Sequence, residues 1–188
     1  MRKLVLFMHT SLDGYTAGPN GEMGWIKVDE EMFAYAGNRT NESDIALYGR
    51  VTYQLMEEYW PTAGNKPNAT KHDIEHSKWY NSVKKIIVSD TMKDTILPNT
   101  KIIHKDFPGE IKKIKSTTGK DIIMFGSPSL SHSLMAENLI DEYWLLVNPI
   151  ILGKGIPLFK PNETKINLNL LTSNTFASGV VCLHYRIK

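Results

Sequence analysis

Short continuous apolar runs alternate along this chain with stretches of helical period. Lys3–Met8 (KLVLFM), Asp44–Tyr48 (DIALY), Lys85–Val88 (KIIV), Lys101–His104 (KIIH) and Asp121–Phe125 (DIIMF) are each bounded by turn residues. Such runs suit strands covered on both faces. Between them lie helices. Asp29 can cap one that runs through Met32, Phe33 and Ala36, with Glu30 and Glu31 at its positive end. Val51, Leu55, Met56 and Tyr59 form a single stripe that Pro61 stops. A weaker helix covers Asp73–Tyr80. Pro108 opens another through Ile111 and Ile114, with Gly119 past its end. Ser127 caps, and Pro128 starts, a last helix bearing Leu130, Leu134 and Met135.

After Leu139 the pattern changes. Tyr143–Val147 reads as a strand, and Leu168–Thr175 and Val180–Ile187 follow, joined by the turn Ala177-Ser178-Gly179. Alternation in the last of these predicts an antiparallel hairpin. The sum is an α/β fold, a helix-covered and mostly parallel sheet of about eight strands with an antiparallel C-terminal hairpin. The Pro/Gly/Asn-rich stretch Thr62–Thr70 is either a lid or a surface excursion.

Composition narrows the picture. The chain has 188 residues, 41% of them hydrophobic and 22% charged, as expected of one globular domain over 1–188. Lys+Arg 22 against Asp+Glu 20 leave a net charge of +2, which gives no reason to expect a nucleic-acid partner. Cys182 is the only cysteine, so no internal disulfide or cysteine-held metal is expected. A reducing, cytoplasmic setting fits. The apolar run before His9 is too short for a signal-peptide core, and no window approaches the roughly 20 apolar residues of a membrane span. The sequons at Asn38, Asn41, Asn68 and Asn162 then have no secretory context.

Three strand-to-helix junctions carry candidate chemistry. Tyr48-Gly49-Arg50-Val51-Thr52 and Phe125-Gly126-Ser127-Pro128 each follow a strand and open a helix, and Val88-Ser89-Asp90 ends a strand in small polar groups. Free N–H groups at a helix start favour an anion, and glycine lets a phosphate come close. Two such junctions on adjacent parallel strands could hold both phosphates of a dinucleotide; equally, Gly49 and Gly126 could make tight turns and nothing more. Ser11-Leu12-Asp13-Gly14-Tyr15 and the stretch to Trp25 could cover an active site or form a plain surface loop. His72-Asp73-Ile74-Glu75-His76 matches H-x-x-E-H, but it is polar and lacks a third ligand, so a solvated helix face is expected rather than a metal site. Gly153-Lys154-Gly155 reads as a turn, and Cys182 as a packed small hydrophobe.

SLDGY near the N-terminus, GRVTY after the second strand, and GSPSLSHSLMAENLIDEYWLLVNPIILGKGIPLF together resemble the dihydrofolate-reductase-like superfamily. The reductase domain of the bifunctional riboflavin-biosynthesis deaminase-reductase, with its stand-alone bacterial homologues, is the nearest kind. The similarity runs from about Lys3 to the C-terminus and includes no deaminase signature. It implies a three-layer α/β/α fold, a small-molecule substrate, a homodimer, and a reduced nicotinamide cofactor. That cofactor would be NADPH, with NADH left open by Asp90. Carried over by position, Gly49, Arg50 and Thr52 form the helix-start group for the cofactor phosphates, and Ser89 the adenosine-side serine. Gly126, Ser127, Pro128 and Leu130 match the stretch around the pyrophosphate. Leu12, Asp13 and Trp25 match loop positions beside nicotinamide and substrate. The proton-handling acid of such reductases lies five residues after a loop tryptophan, which here is Glu30, with Asp13 and Tyr53 as rivals; equally, Glu30 could be a plain acid at a helix start. The resemblance thus implies hydride transfer to a C=N or C=O carbon; the alternative is a catalytically inactive nucleotide- or ligand-binding protein of the same fold.

Overall fold

A computed structural model describes residues 1–92, 96–160 and 165–188, so the sequon at Asn162 lies outside the described residues. In chain order the elements are β1 (Leu4–Thr10), β2 (Tyr15–Ala17), α1 (Glu30–Asn41), β3 (Ser43–Gly49), α2 (Arg50–Ala63), α3 (Lys71–Ser82), β4 (Lys84–Val88) and β5 (Thr100–Ile103). They continue with α4 (Phe107–Lys115), β6 (Asp121–Phe125), α5 (Pro128–Ala136), β7 (Glu142–Val147), β8 (Ile156–Pro157), β9 (Leu168–Thr175) and β10 (Val181–Ile187). Eight strands form one sheet in the order β5-β4-β3-β6-β1-β7-β10-β9. β5 through β7 are parallel, and β10 and β9 close the far edge in antiparallel pairing.

The continuous apolar runs become central strands because helices cover both faces. Leu4, Leu6, Ile45, Leu47, Ile122 and Met124 turn to one side, where Ile111 of α4 and Leu130 and Leu134 of α5 meet them. Phe7, Ile123 and Leu146 turn to the other and pack on Met32 of α1. Ala46, Tyr48 and Ile87 pack there on Tyr53 of α2 and Tyr80 of α3. This is the three-layer α/β/α arrangement of the dihydrofolate-reductase-like fold. Among the described residues no helix is long and apolar enough to cross a membrane.

Three sequence expectations change. Pro61 does not stop α2, which runs on to Ala63. A proline in the last turn forfeits a single intrahelical bond, and its carbonyl accepts from Asn81 Nδ2 at 3.1 Å. Most of the apolar stripe of α2 points outward: Val51, Leu55 and Tyr59 are exposed, Met56 packs against the core, and Tyr53 and Ala63 are buried. Of the Thr62–Thr70 stretch, Thr62 and Ala63 end α2 and the rest is a short connector into α3, which Thr70 and Asp73 start with a reciprocal capping box. The two-stranded ribbon of β2 and β8 has too few residues to leave a periodic signal.

Asp29 caps α1 as its sequence predicts. Its Oδ1 accepts from the Met32 N–H at 2.8 Å, and its Oδ2 accepts from the Ser178 N–H at 2.8 Å, tying α1 to the C-terminal hairpin turn. Asp29→Ala is therefore expected to lower stability by about 1–2 kcal/mol in urea denaturation.

Candidate active site

β3 and β6 lie side by side, yet the chain leaves them in opposite directions. From β3 it goes through α2 and α3 to β4; from β6 it goes through α5, past β1, to β7. A parallel sheet opens a crevice at such a point, beyond the carboxyl ends of its strands. The two junctions singled out by sequence meet there. The Gly49 N–H donates to Ser127 Oγ at 2.7 Å, and the Ser127 N–H donates to Thr52 Oγ1 at 3.0 Å. A Cβ on Gly49 would lie 3.0 Å from Ser127 Oγ, and one on Gly126 3.1 Å from Thr52 Cγ2. A side chain at either site would press on its neighbour by a few tenths of an ångström, and at Gly126 the positive φ adds backbone strain. Gly126 (φ 65°) and Ser127 (φ 58°) form a consecutive left-handed pair. Ser127 holds this backbone although it carries a Cβ, and its hydroxyl cross-links the two turns instead of capping α5.

The expectation of free amides at both glycine turns therefore needs correction, because the N–H groups of Gly49 and Ser127 are spent on this cross-link. The first turns of the two helices take their place. α1, α3 and α4 have side-chain caps in Asp29, Thr70 and Asp106, while α2 and α5 have none. The first N–H groups of a helix have no intrahelical acceptor, and the dipole adds partial positive charge. Two uncapped helix starts facing one crevice suit a diphosphate. Arg50 at the start of α2 is exposed, with its guanidinium held by Gln54 Oε1 at 3.0 Å. Pro128 opens α5, whereas the Leu130 side chain is buried in the core, which leaves only its backbone for a ligand. Further along the edge, Ser89 Oγ accepts from the Thr91 N–H at 3.2 Å. Beside it Asp90, Lys101, His104 and Lys105 line a cavity of about 440 Å³.

A second cluster forms at the ends of β1 and β7. Asn148, 1% exposed, accepts from the Lys27 N–H at 2.8 Å through Oδ1. Its Nδ2 faces the Leu146 carbonyl at 3.0 Å, the Thr10 carbonyl at 3.3 Å and His9 Nδ1 at 3.3 Å. The sequence reading missed both Asn148 and His9. An asparagine closing the apolar run YWLLV, just before a proline, was the available signal, since a buried amide must find partners. Burial lowers the His9 pKa to about 4, so the ring is neutral at pH 7.

The loop candidates have distinct settings. Asp13 accepts from Ser11 Oγ at 2.6 Å and from the N–H groups of Leu152 at 3.1 Å and Gly153 at 2.8 Å. The Ser11 hydroxyl, followed by these amides, holds its carboxyl below the usual range. Leu12 is 67% exposed, and its N–H donates to the Ile150 carbonyl at 2.8 Å. Trp25 Nε1 donates to the Glu22 carbonyl at 3.0 Å. Glu30 is exposed at the first position of α1.

His72 and His76 of the H-x-x-E-H motif turn into an aromatic cluster instead of a solvated face. His72 stacks on Phe33 with centroids 3.9 Å apart, and His76 lies 4.1 Å from Trp60 and 5.9 Å from Phe125. Among the described residues no set of three metal-ligating side chains forms. Burial, with the neighbouring His72, lowers the His76 pKa to about 3.

This arrangement of sheet and helices defines the dihydrofolate-reductase-like α/β class. The chain belongs to the RibD C-terminal domain family, whose sequence profile matches residues 2–182. It is 35% identical over 185 residues to the uncharacterized protein YyaP of Bacillus subtilis, covering 98% of this chain and 94% of that one. A pyrimidine reductase-like protein of Corynebacterium diphtheriae superposes with a TM-score of 0.69 at 14% identity, covering 100% of this chain and 92% of that one. A dihydrofolate reductase of Enterococcus faecalis, solved with NADP(H), gives a TM-score of 0.66 at 11% identity, covering 99% of this chain and 96% of that one.

Two outcomes follow. Ser127→Ala leaves the Gly49 N–H without its acceptor and is expected to cost about 1–2 kcal/mol, read by thermal denaturation. The unfolded chain takes up the His76 proton near pH 6.5, whereas the folded one resists until about pH 3. Stability should therefore fall as pH drops through that window, by up to about 1.4 kcal/mol per pH unit for this group. His76→Phe is expected to flatten that acid limb in urea titrations run from pH 7 to pH 4.

Proposed function

We propose that the protein is an NADPH-dependent reductase that transfers hydride to a C=N or C=O carbon of a small heterocyclic or sugar-linked molecule. The observation that carries this reading is the pair of uncapped helix starts, locked together by the Gly49–Ser127–Thr52 hydrogen bonds at the switch point. The first-turn amides of α2, at Arg50 and Thr52, would hold one side of the diphosphate, and the amides of Gly126 and Leu130 the other, while Gly49, Ser127 and Pro128 shape the two turns and leave their own N–H groups out of the contact. The Arg50 guanidinium would face the 2′-phosphate, Ser89 the adenosine, and Leu12 and Trp25 the nicotinamide. When bound, the cofactor supplies the hydride; the chain positions the acceptor and manages its proton.

Asp13 or Glu30 would serve the proton. Asp13 already accepts three hydrogen bonds, which favours Glu30, whose carboxyl makes no hydrogen bond to any described residue. NADH stays the alternative cofactor because the Asp90 carboxylate, which lines the cavity next to Ser89 in the chain, would repel a 2′-phosphate, whereas Lys101 and Lys105 in the same lining favour one. A homodimer is part of the same reading. Its support is the apolar surface at the outer strand, where Leu170 is 53% and Leu171 40% exposed, with Phe159 nearby in sequence at 50%. A cytoplasmic setting, with its reduced cofactor pool, completes it and suits the single free, buried cysteine.

Calorimetric titration tests the proposal. NADPH should bind, and Arg50→Ala should weaken it by about 1.5–3 kcal/mol, the worth of a charge-assisted hydrogen bond. Absence of NADPH and NADH binding would remove the reductase reading. Binding without oxidation by any imine or carbonyl would leave the inactive binding protein of the same fold.

A further inference from the structure

His9 is a half-buried histidine at the carboxyl end of the central strand β1, and nothing in the reading above uses it. Its surroundings fix its protonation pattern. The Lys27 N–H can only donate, so the Asn148 atom facing it must be the amide oxygen. That orientation places the Asn148 NH2 against the carbonyls of Leu146 and Thr10 and against His9 Nδ1. The two amide hydrogens are shared among these three acceptors, and an NH2 offers no lone pair in return, so a proton on Nδ1 would meet donor with donor at 3.3 Å; Nδ1 is the unprotonated nitrogen. The proton of the neutral ring therefore sits on Nε2. Nε2 has no hydrogen-bond partner among the described residues, and it is not among the buried polar atoms sealed from solvent. It is a held donor with nothing to donate to.

Its position is equally specific. Phe7 and Phe125 are register partners of β1 and β6, with ring centroids 5.6 Å apart. Extending that register by two residues brings His9 level with the Gly126–Ser127 turn. By strand alternation it shares the face of Phe7, under α1. Ser11, Leu12 and Asp13 follow immediately in the chain.

We infer that His9 Nε2–H is the hydrogen-bond donor that fixes an acceptor heteroatom of the substrate beside the carbon receiving hydride. This rests on the reductase reading. The substrate must then present a carbonyl oxygen or an unprotonated ring nitrogen at that point. As electrons move onto that heteroatom the donor steadies the growing charge, and the proton arrives separately, from the acid or from water. Asn148 acts by keeping the ring in the donating tautomer.

Nitrogen-resolved NMR of the His9 ring tests this, with uracil as a planar probe bearing carbonyl acceptors and benzene as a control without any. At pH 7 the free protein should show the Nε2–H pattern. Saturating NADPH should shift the His9 signals, while 2′-phospho-ADP-ribose, which lacks nicotinamide, should leave them in place. Uracil added to the NADPH complex should move the Nε2 proton downfield, and benzene should not. His9→Leu should weaken uracil at least tenfold while NADPH affinity changes less than twofold. An Nδ1–H pattern overturns the inference, as does NADPH binding without a His9 response, or failure of uracil to move that proton up to its solubility limit. Calorimetry showing no NADPH binding at all is a separate result, and it defeats the reductase reading instead.

Discussion

The site depends on a reciprocal pair of hydrogen bonds. The turn after β3 gives its amide to Ser127, and the turn after β6 gives its amide to Thr52. Each turn thereby satisfies the other's exposed backbone. The cost is tight packing, which would crowd a Cβ at Gly49 and strain one at Gly126. The result is a rigid seam between two helix starts that approach from opposite faces of the sheet. Preorganisation of this kind matters for an anion site, because amides fixed in place before binding lose little freedom when a ligand arrives.

The contrast between helix starts gives the seam its meaning. The capped starts of α1, α3 and α4 spend side-chain oxygens on their first-turn amides, as stability alone would favour. α2 and α5 forgo this where they meet. Sequence choices that weaken an isolated helix but converge on one crevice are what a ligand site looks like in energetic terms. The neighbouring ends of β1 and β7 are built the other way. There the Asn148 amide is fully occupied, and what it leaves open is a ring nitrogen on His9 rather than backbone.

Much of this was legible in the chain. Central strands covered on both faces leave continuous apolar runs, so their places along the chain could be read, as could the Asp29 cap; their order in the sheet could not. Motif order led to Gly49, Arg50, Thr52, Gly126 and Ser127, which the fold brings together. Other features had no local signal. The outward turn of Val51 and Leu55 depends on which face of α2 meets the sheet, and periodicity alone cannot tell two apolar stripes apart. The bond from Ser127 to Gly49 spans 78 residues, and a cap-like serine before a proline suggested a different use. His72 and His76 looked solvated because their aromatic neighbours Phe33, Trp60 and Phe125 come from other elements. His9 and Asn148 are 139 positions apart, and neither belongs to a recognisable motif.

The Asp13 carboxylate has one further mechanical effect. It grips the amides of Leu152 and Gly153, while Leu12 bonds to Ile150 and the short ribbon of β2 and β8 runs between the same two segments. The two stretches of chain are thereby stapled to each other at four places. Displacing either one breaks bonds held by the other, so the loops after β1 and β7 behave mechanically as one piece.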